Sequence, residues 1–365
     1  MKFSGSYDRD QVEFLIKVLP QADFVSIENK EKLIQAGVKH YSQMLSVEKL
    51  PSDEYTDLFN QALSINSKRM AIDCLVLASR INSSRPNGII TLVSLLRAGT
   101  PVGVIVKKIL EATFKRNVAH FSISIMRDIG IDSNALKYIL QQDGISDQSL
   151  VFVDGWTGKG VIAKELTNSI AKFNAANLTA IDSSLHVVAD IAGKAKFSAS
   201  YEDYLIPSCI LNATVSGLVS RTVCNEQISA TDFHGSFYYA DFAKYDKSKL
   251  FVKTISDIAR HYAVTQGVPD VCVPDLPMLN KISDNFIQQT MKKYSITDKN
   301  LVKPGIGEAT RVLLRRVPKL LILKDESSKD VAHLINLAKQ KSVKIVTDTS
   351  MPYQAVSLIR SSLDG

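Results

Sequence analysis

Hydrophobic and polar positions divide the chain into a helical first part, a central part of alternating apolar runs and helices, and a basic end. In the first part, Asp8 with Gln11 predicts a capping box before VEFLIKVL, and Ser52 predicts an N-cap before DEYTDLFNQAL. The stretch KRMAIDCLVLASRI is typical of a buried helix, which places Cys74 in the core. We therefore expect residues 1–85 to form a helical cover over the rest of the protein.

In residues 86–265, short apolar runs rich in β-forming residues are followed by helical patterns. The predicted strands are IITLVSLL, HFSISIMRD, LVFV and HVVADIA, and the helices between them are PVGVIVKKILEATFK, IGIDSNALKYILQQ and VIAKELTNSIAKF. Strands that alternate with helices predict an α/β protein with a doubly wound parallel sheet, whose ligands bind at the carboxyl ends of the strands. The later stretch YLIPSCILNATVSGLVSRTV is typical of a packed helix.

The last part of the chain differs in composition. Residues 266–300 begin with TQGVPDVCVPDLPMLNK, whose three prolines predict a linker that contains Cys272. Residues 301–365 carry 11 Lys and Arg against 6 Asp and Glu, which is most of the net charge of +7. Their pattern predicts a small α/β domain, with a helix in GIGEATRVLLRR, a strand in KLLIL, a helix in KDVAHLINLAKQK, a strand in VKIVTD and a closing helix in YQAVSLIR.

Length and composition exclude several classes of protein. A chain of 365 residues with 45% hydrophobic and 22% charged residues is typical of a globular protein of two or three domains. It shows no apolar run of membrane-spanning length and no secretory signal, so we expect a cytoplasmic protein without a membrane partner. The four cysteines form no CxxC pair and no metal-ligand spacing, which indicates reduced thiols. The oligomeric state is not encoded in a readable pattern.

The stretch LVFVDGWTGKG, residues 150–160, carries the most specific chemistry. A buried strand ends at the carboxylate of Asp154, and a glycine-rich turn then leads into a helix that begins near Val161. Backbone N–H groups at such a turn form an anion site, and the adjacent carboxylate suggests a ligand with both a sugar and a phosphate. The spacing is not that of a Walker A loop, because Gly155 lies too close to Gly158. A tight turn without a ligand is the alternative.

This turn resembles the phosphoribosyl pyrophosphate (PRPP) loop of type I phosphoribosyltransferases, and SLLRAGTPVG resembles their pyrophosphate loop. The segments FSGSYDRDQVEFLIK, HFSISIMRDIGID, VDGWTGKGVI, DYLIPSCILNATVSGLVSRTV and DFHGSFYY together resemble one bacterial family that covers nearly the whole chain. Its members are phosphoribosyltransferase-like proteins of tellurium-resistance and stress operons, which are also catalogued as StiP-type cysteine proteases. The resemblance implies a phosphoribosyltransferase-like fold for the core.

The resemblance also implies an enzyme that joins a base or base-like acceptor, possibly RNA-linked, to ribose 5-phosphate from PRPP with Mg²⁺. Catalytic roles then fall to Asp154, Arg97 and Arg127. The expected PRPP-binding and phosphate-binding residues are Ala98, Gly99, Thr100, Gly155, Trp156, Thr157, Gly158, Lys159 and Gly160. Asp128 and Asp190 end strands on the same predicted face and are candidates for the metal. A solvated ion pair for Arg127 and Asp128, and packing beneath the loop for Trp156, are the alternatives.

Two other functions stay open at this point. A cysteine protease needs a thiol activated by a nearby base, and Cys209 or Cys224 with His234 in DFHGSFYY would supply such a pair. No cysteine has a protease-like local signature, so buried structural thiols are the alternative. A non-catalytic sensor that binds PRPP or a nucleotide beside RNA is the third hypothesis.

Residues 301–365 resemble the Pelota-type RNA-binding domain, which is related to the ribosomal L7Ae proteins. In that family a GxNE turn opens a helix that grips bent RNA, and here Gly307 replaces the asparagine while Glu308 is retained. The resemblance implies RNA contacts from Lys303, Gly305, Gly307, Glu308, Arg311 and Arg315. Because the base-reading amide is missing, we expect these contacts to be mainly with phosphates. A basic helix that binds no RNA is the alternative.

Overall fold

The computed structural model describes residues 2–20, 24–270 and 273–360, so that Cys272 lies outside the described residues. The α-helices are α1 Ile27–Gln35, α2 Asp53–Ser84, α3 Gly99–Ala112, α4 Ser133–Leu140, α5 Val161–Asn177, α6 Ser248–Gln266, α7 Leu276–Lys293, α8 Ile306–Arg315 and α9 Ala332–Gln340. The strands are β1 Glu13–Leu15, β2 Lys17–Leu19, β3 Ile90–Leu95, β4 Val118–Ile123, β5 Ile125–Met126, β6 Gly130–Ile131, β7 Leu150–Thr157, β8 Leu185–Asp190, β9 Phe197–Ser200, β10 Gly235–Phe237, β11 Val302–Pro304, β12 Pro318–Leu323, β13 Lys344–Thr347 and β14 Ala355–Ile359.

The core is a six-stranded parallel sheet in the order β1-β4-β3-β7-β8-β9, which confirms the predicted α/β class with a parallel sheet. Every residue of the central strand β3 is buried, as expected for a strand that is covered on both faces. Helices α2, α3 and α6 pack on one face, while α4 and α5 pack on the other. The carboxyl ends of β3, β4 and β7 therefore meet along one edge of the sheet.

The first 85 residues differ in part from the predicted helical cover. Gln11 Nε2 donates to Asp8 Oδ2 at 2.9 Å, but strands β1 and β2 follow where the capping box predicted a helix. Residues Phe14 and Leu15 are buried, and β1 completes the edge of the main sheet beside β4, so long-range pairing decides the local conformation. Ser52 does cap helix α2, since its side chain accepts from Tyr55 N, and Cys74 is buried within that helix.

The stretch of residues 204–223, for which a packed helix was predicted, is irregular although it is largely buried. It contains two short 3₁₀ turns, Pro207–Cys209 and Ala213–Val215. Gly217 and Leu218 both have positive φ angles, of 83° and 61°, which a right-handed helix cannot contain. A continuous apolar composition therefore indicated burial here but not the type of element.

The C-terminal part forms a second sheet in the order β11-β14-β12-β13. Residues 266–300, interpreted as a linker, include helix α7, which is capped by Asp275 and packs against the start of this sheet. The predicted closing helix is instead strand β14, all of whose residues are buried between β11 and β12. A run of five apolar or small residues fits a buried strand as well as a helix.

Within the described residues, no helix is long and apolar enough to cross a membrane.

Candidate active site and the cleft between the domains

The glycine-rich turn after Asp154 is more regular than its sequence suggests. Strand β7 continues through Thr157, and Trp156 and Thr157 pair with Ala189 and Asp190 of β8. Gly160 then adopts a left-handed conformation, with φ of 71°, and its N–H donates to Thr157 Oγ1 at 3.1 Å. The hydroxyl that was predicted for a phosphate is thus engaged in closing the turn before α5.

The same turn is covered by the C-terminal domain. A Cβ atom on Gly158 would lie 3.1 Å from Pro304 O, so the two backbones are in close contact. Lys159 Nζ donates to the carbonyls of Lys299 and Val302, at 2.7 and 2.8 Å, and burial lowers its pKa to about 7. Lys159 therefore joins the two domains, where the sequence had predicted a phosphate contact.

Asp154 and Arg97 line one cavity, of about 280 Å³, between the main sheet and α8. Burial raises the pKa of Asp154 to about 6, although Arg311 and a hydrogen bond from Gly155 N act in the opposite direction. Arg97 Nη1 donates to Glu48 Oε1 at 2.5 Å and to Val219 O at 3.0 Å. Asp154 and Arg97 thus line the same pocket, which is rich in arginine.

The rest of the turn at residues 97–100 is packed instead of open. A Cβ atom on Gly99 would lie 2.5 Å from Val153 O, so glycine is required for α3 to begin against β7. Thr100 is fully buried, and its hydroxyl is 2.7 Å from Ser122 Oγ. Ala98 caps α3 without a side-chain hydrogen bond.

The residues proposed for metal binding have other contacts. Arg127 Nε donates to Asp128 Oδ2 at 2.9 Å, which is the ion pair that was the alternative for these two residues. Asp190 is fully buried and accepts from Ala192 N at 3.0 Å and Ala195 N at 2.6 Å, so it closes the turn after β8. Within the described ranges, no group of three or more His, Cys, Asp or Glu side chains could hold a metal.

The turn that opens α8 faces the main domain. A Cβ atom on Gly307 would lie 2.5 Å from Trp156 Nε1, and the Arg311 guanidinium lies 4.5 Å from the centre of the Trp156 ring. Glu308 accepts a hydrogen bond from Arg311 Nη1 at 2.8 Å. Burial acts to raise the pKa of Glu308, but the nearby cations outweigh burial and lower this pKa. All six residues predicted to bind RNA line the cavities of this cleft, namely Lys303, Gly305, Gly307, Glu308, Arg311 and Arg315.

One residue of the main domain holds this turn, and sequence reasoning missed it. Asp203 Oδ1 accepts from Ile306 N at 2.9 Å, and Oδ2 accepts from Gln354 N at 2.8 Å. Gly305, which has φ of 90°, supplies no side-chain cap for α8, so Asp203 replaces it. Its motif, YEDY, carries no signal of a partner about 100 residues later.

The two candidate thiols have different environments. Cys209 is 4% exposed, its Sγ lies 3.8 Å from Thr310 Oγ1, and burial raises the thiol pKa to about 12. Thr310 Oγ1 in turn lies 2.8 Å from His333 Nε2. Cys209 is thus a protonated thiol packed between the domains. Cys224, in contrast, is partly exposed.

Cys224 and His234 lie on neighbouring segments that pair with each other. Val223 N donates to Gly235 O and Gly235 N donates to Val223 O, which makes Val223 and Gly235 a hydrogen-bonded antiparallel pair. We infer from this bridge that Cys224 and His234 are neighbours, since an antiparallel pair of this kind is followed by one with Cα atoms about 4.5 Å apart. Val223 packs into a small core with Leu19.

The hydrogen bonds of His234 decide which ring nitrogen is free. Ser124 Oγ donates to Thr222 Oγ1 at 2.8 Å, so the contact of 2.8 Å between Ser124 Oγ and His234 Nδ1 requires the proton on Nδ1. The neutral ring then has an unprotonated Nε2 that can accept a proton. Burial lowers the pKa of His234, which favours this neutral form, while the charge of Asp132 acts in the opposite direction.

Asp132 is the third member of the cluster, and the sequence did not single it out. Its Oδ1 accepts from Ala135 N as the N-cap of α4, and its Oδ2 accepts from His234 N at 2.6 Å. Burial and the Asp132 charge together raise the pKa of the Cys224 thiol. The sequence DSNALKYIL did carry the signal of a helix cap, but nothing in it indicated that the carboxylate also holds the segment of His234.

Comparisons with known proteins agree with the protease alternative. The family model described as "Tellurite-like stress resistance cysteine protease StiP" matches residues 5–256, and the model described as "PELOTA RNA binding domain" matches residues 281–361. The chain is 38% identical over 377 residues to "Cysteine protease StiP" of Acinetobacter baylyi, a match that covers 98% of this chain and 94% of that protein. A Burkholderia pseudomallei sphingosine-1-phosphate lyase shares 8% identity over 44% of this chain and 33% of its own, and its TM-score of 0.19 carries no argument about the fold.

These findings correct the main functional prediction. The family model and the Acinetobacter relative name a cysteine protease, so the predicted phosphoribosyltransferase activity is wrong. The resemblances to the StiP family and to the Pelota domain are confirmed, whereas a phosphoribosyltransferase-like fold is not. PRPP, Mg²⁺ and RNA as binding partners stay predictions.

Proposed function

Since the chain belongs to the StiP family of stress-resistance cysteine proteases, we propose that it is a cysteine peptidase whose nucleophile is Cys224. The observation that supports this choice is the reciprocal bond between Val223 and Gly235, from which we infer that Cys224 lies opposite His234. Asp132 accepts a hydrogen bond from the backbone N–H of His234, and Ser124 Oγ contacts the Nδ1 atom of its ring, so these two residues hold the histidine in place. A nucleophile, a base and an orienting group are the three parts that this chemistry requires.

The reaction follows from the protonation states of the pair. At neutral pH both groups are uncharged, because burial raises the pKa of the thiol and lowers that of the imidazole. His234 Nε2 takes the thiol proton as sulfur attacks the carbonyl carbon of a peptide bond, and it returns that proton to the departing amine. The resulting thioester is then hydrolysed by a water that His234 deprotonates. The substrate peptide is not specified by any described contact.

Cys209 is the alternative nucleophile, and its contacts argue against it. Its thiol donates to Thr310, whose hydroxyl also contacts His333, so no histidine contacts the sulfur directly. Burial lowers the pKa of His333 to about 3 and raises that of Cys209 to about 12, which makes proton transfer between them unfavourable at neutral pH. We propose a structural role for Cys209 at the domain interface.

The test compares four full-length proteins on a library of peptides prepared from a cell lysate, with new termini identified by mass spectrometry. Wild type and Cys209→Ala are expected to cleave the same sites at similar rates. Cys224→Ala is expected to lose activity, and His234→Gln, which keeps an acceptor and a donor near Ser124, is expected to slow cleavage by about 10²–10⁴-fold. Cleavage that survives in Cys224→Ala but disappears in Cys209→Ala would reverse the assignment.

RNA binding by the C-terminal domain is a second candidate function, which the Pelota match over residues 281–361 favours. Glu308, Arg311 and Gly307 lie against Trp156, so RNA that uses them has to enter the cleft between the domains. We expect the full-length protein to retard structured RNA in a gel, with an affinity that falls steeply with salt because phosphate contacts dominate. Absence of retardation at low salt would favour a structural role for this domain.

A further inference from the structure

The cavity that contains Asp154 is lined by buried donors without acceptors. Among the described residues, five buried donor atoms of side chains that line it have no hydrogen-bond partner, and these are Arg97 Nη2, Arg221 Nη1, Arg315 Nε, Trp156 Nε1 and Ser208 Oγ. One buried acceptor, Asn212 Oδ1, is in the same state. Buried polar groups in folded proteins normally have partners, so this excess of donors indicates a missing acceptor with several oxygens.

The charges around the cavity are also unbalanced. Glu48 accepts from Arg97 and Glu308 accepts from Arg311, which pairs two of the four arginines. Arg221 instead donates to the carbonyls of Tyr41 and Met44. Arg315 makes no hydrogen bond or ion pair with any described residue, and the carboxyl of Asp154 is the remaining acidic group in this cavity.

Burial and the neighbouring arginines lower the pKa of Arg315 to about 9 and contribute to lowering that of Arg221 to about 10. Both guanidinium groups still carry their charge at neutral pH. The Arg97 side chain is also largely removed from solvent, since only 8% of it is exposed. A buried group of cations without counterions is unfavourable, and an anion in the cavity would remove that cost.

We propose that this cavity binds a small molecule that carries phosphoryl groups, held by Arg97, Arg221 and Arg315. A phosphoryl group offers the tetrahedral set of oxygens that guanidinium groups bind in pairs of hydrogen bonds. The three arginines come from the β3–α3 turn, from the segment before Cys224 and from α8, so the ligand joins the C-terminal domain to the segment that carries the proposed nucleophile. The volume of about 280 Å³ accommodates more than a single phosphate.

The experiment uses the full-length protein and sodium pyrophosphate as the probe, with binding measured by calorimetry and by thermal unfolding. Pyrophosphate is expected to raise the melting temperature of wild type above that in sodium chloride of equal ionic strength, because it binds the folded state. Arg315→Gln and Arg221→Gln are each expected to weaken binding by at least about tenfold. Without pyrophosphate, Arg315→Gln should melt no lower than wild type, since it removes an unpaired cation.

Two controls separate this site from the rest of the molecule. Arg260→Gln, on the exposed face of α6, changes the same charge outside the cavity and should bind pyrophosphate like wild type. Cys224→Ala should also bind like wild type, so the result is independent of the proposed peptidase activity. Equal binding by wild type and Arg315→Gln would overturn the proposal, as would the absence of any pyrophosphate effect. A melting temperature raised equally by succinate would overturn the assignment to phosphoryl groups.

Discussion

Replacing Gly307 by alanine tests how tightly the two domains are packed. Gly307 lies in the first turn of α8, where alanine is intrinsically favoured over glycine by up to about 1 kcal/mol. The added Cβ would, however, lie 2.5 Å from Nε1 and 2.6 Å from Cε2 of Trp156, and an indole ring held between backbone and Arg311 cannot move aside easily. We therefore expect the substitution to destabilise the protein.

The magnitude follows from the competition between these two effects. Adding a methyl group to a packed site costs about 1–3 kcal/mol, which exceeds the gain in helix propensity. In the Trp156→Ala background the steric clash is absent, so there Gly307→Ala should be neutral or stabilising. The coupling between the two positions is then about 2–3 kcal/mol, which is large for a double-mutant cycle.

The assay is thermal or urea-induced unfolding of wild type, the two single variants and the double variant, each as the full-length protein. A loss of about 2 kcal/mol corresponds to a melting temperature lower by about 2–4 °C for a chain of this length. Gly307→Asn, which restores the residue of the RNA-binding turn that this domain resembles, should cost at least as much as alanine. Equal effects of Gly307→Ala with and without Trp156 would refute this account of the packing.

Three further predictions concern titration and docking. Asp154→Asn should stabilise the protein relative to wild type increasingly as pH rises from about 4 to about 7, by up to about 3 kcal/mol. The pKa of Asp154 in the folded protein is raised to about 6, so wild type loses stability when this carboxyl ionises. Unfolding curves at several pH values measure the difference in stability, and a difference that does not change with pH would contradict the prediction. The rate of Cys224 alkylation by iodoacetamide should increase with pH, with a midpoint above that of free cysteine, and Asp132→Asn should lower that midpoint. A rate that is already maximal at pH 6 would instead indicate a preformed thiolate. Lys159→Met should weaken the docking of the two domains and so make limited proteolysis between residues 266 and 300 faster than in the control variant Lys164→Met. Equal rates of proteolysis in the two variants would contradict the role given to Lys159.

Local patterns predicted the elements whose own residues carry a clear apolar run or a capping signal. The strands β3, β4, β7 and β8 and the helix α3 lie where the apolar runs indicated them, and Ser52 caps α2 as expected. The patterns failed where a distant partner decides the conformation. Strand β14 was predicted as a helix because its five buried residues have no distinctive period. Strand β1 was predicted as a helix because its pairing with β4 involves residues more than 100 positions away, which no local pattern indicates.

The candidate site shows the same limit. Cys224 and His234 could be proposed as a pair from residue type, but the inference that they are neighbours rests on the reciprocal bond between Val223 and Gly235, in a segment without strand-like alternation. Ser124 directly follows β4 and Asp132 caps α4, both about 100 residues earlier, and no spacing links them to His234. The glycine of the turn at residues 97–100 is required for packing against β7, a close contact that no local pattern indicated.

The contacts of Asp203 have a consequence for synthesis of the protein. The ribosome completes the main domain before α8 and β14 emerge, and domains generally fold in that order. Helix α8 begins at a glycine and takes its cap from Asp203, and the segment before β14 is held by the same carboxylate. The earlier domain therefore acts as a template for the later one. A released C-terminal fragment would begin α8 without its cap, at a cost of about 1 kcal/mol, so its stability in isolation understates its stability in the whole chain.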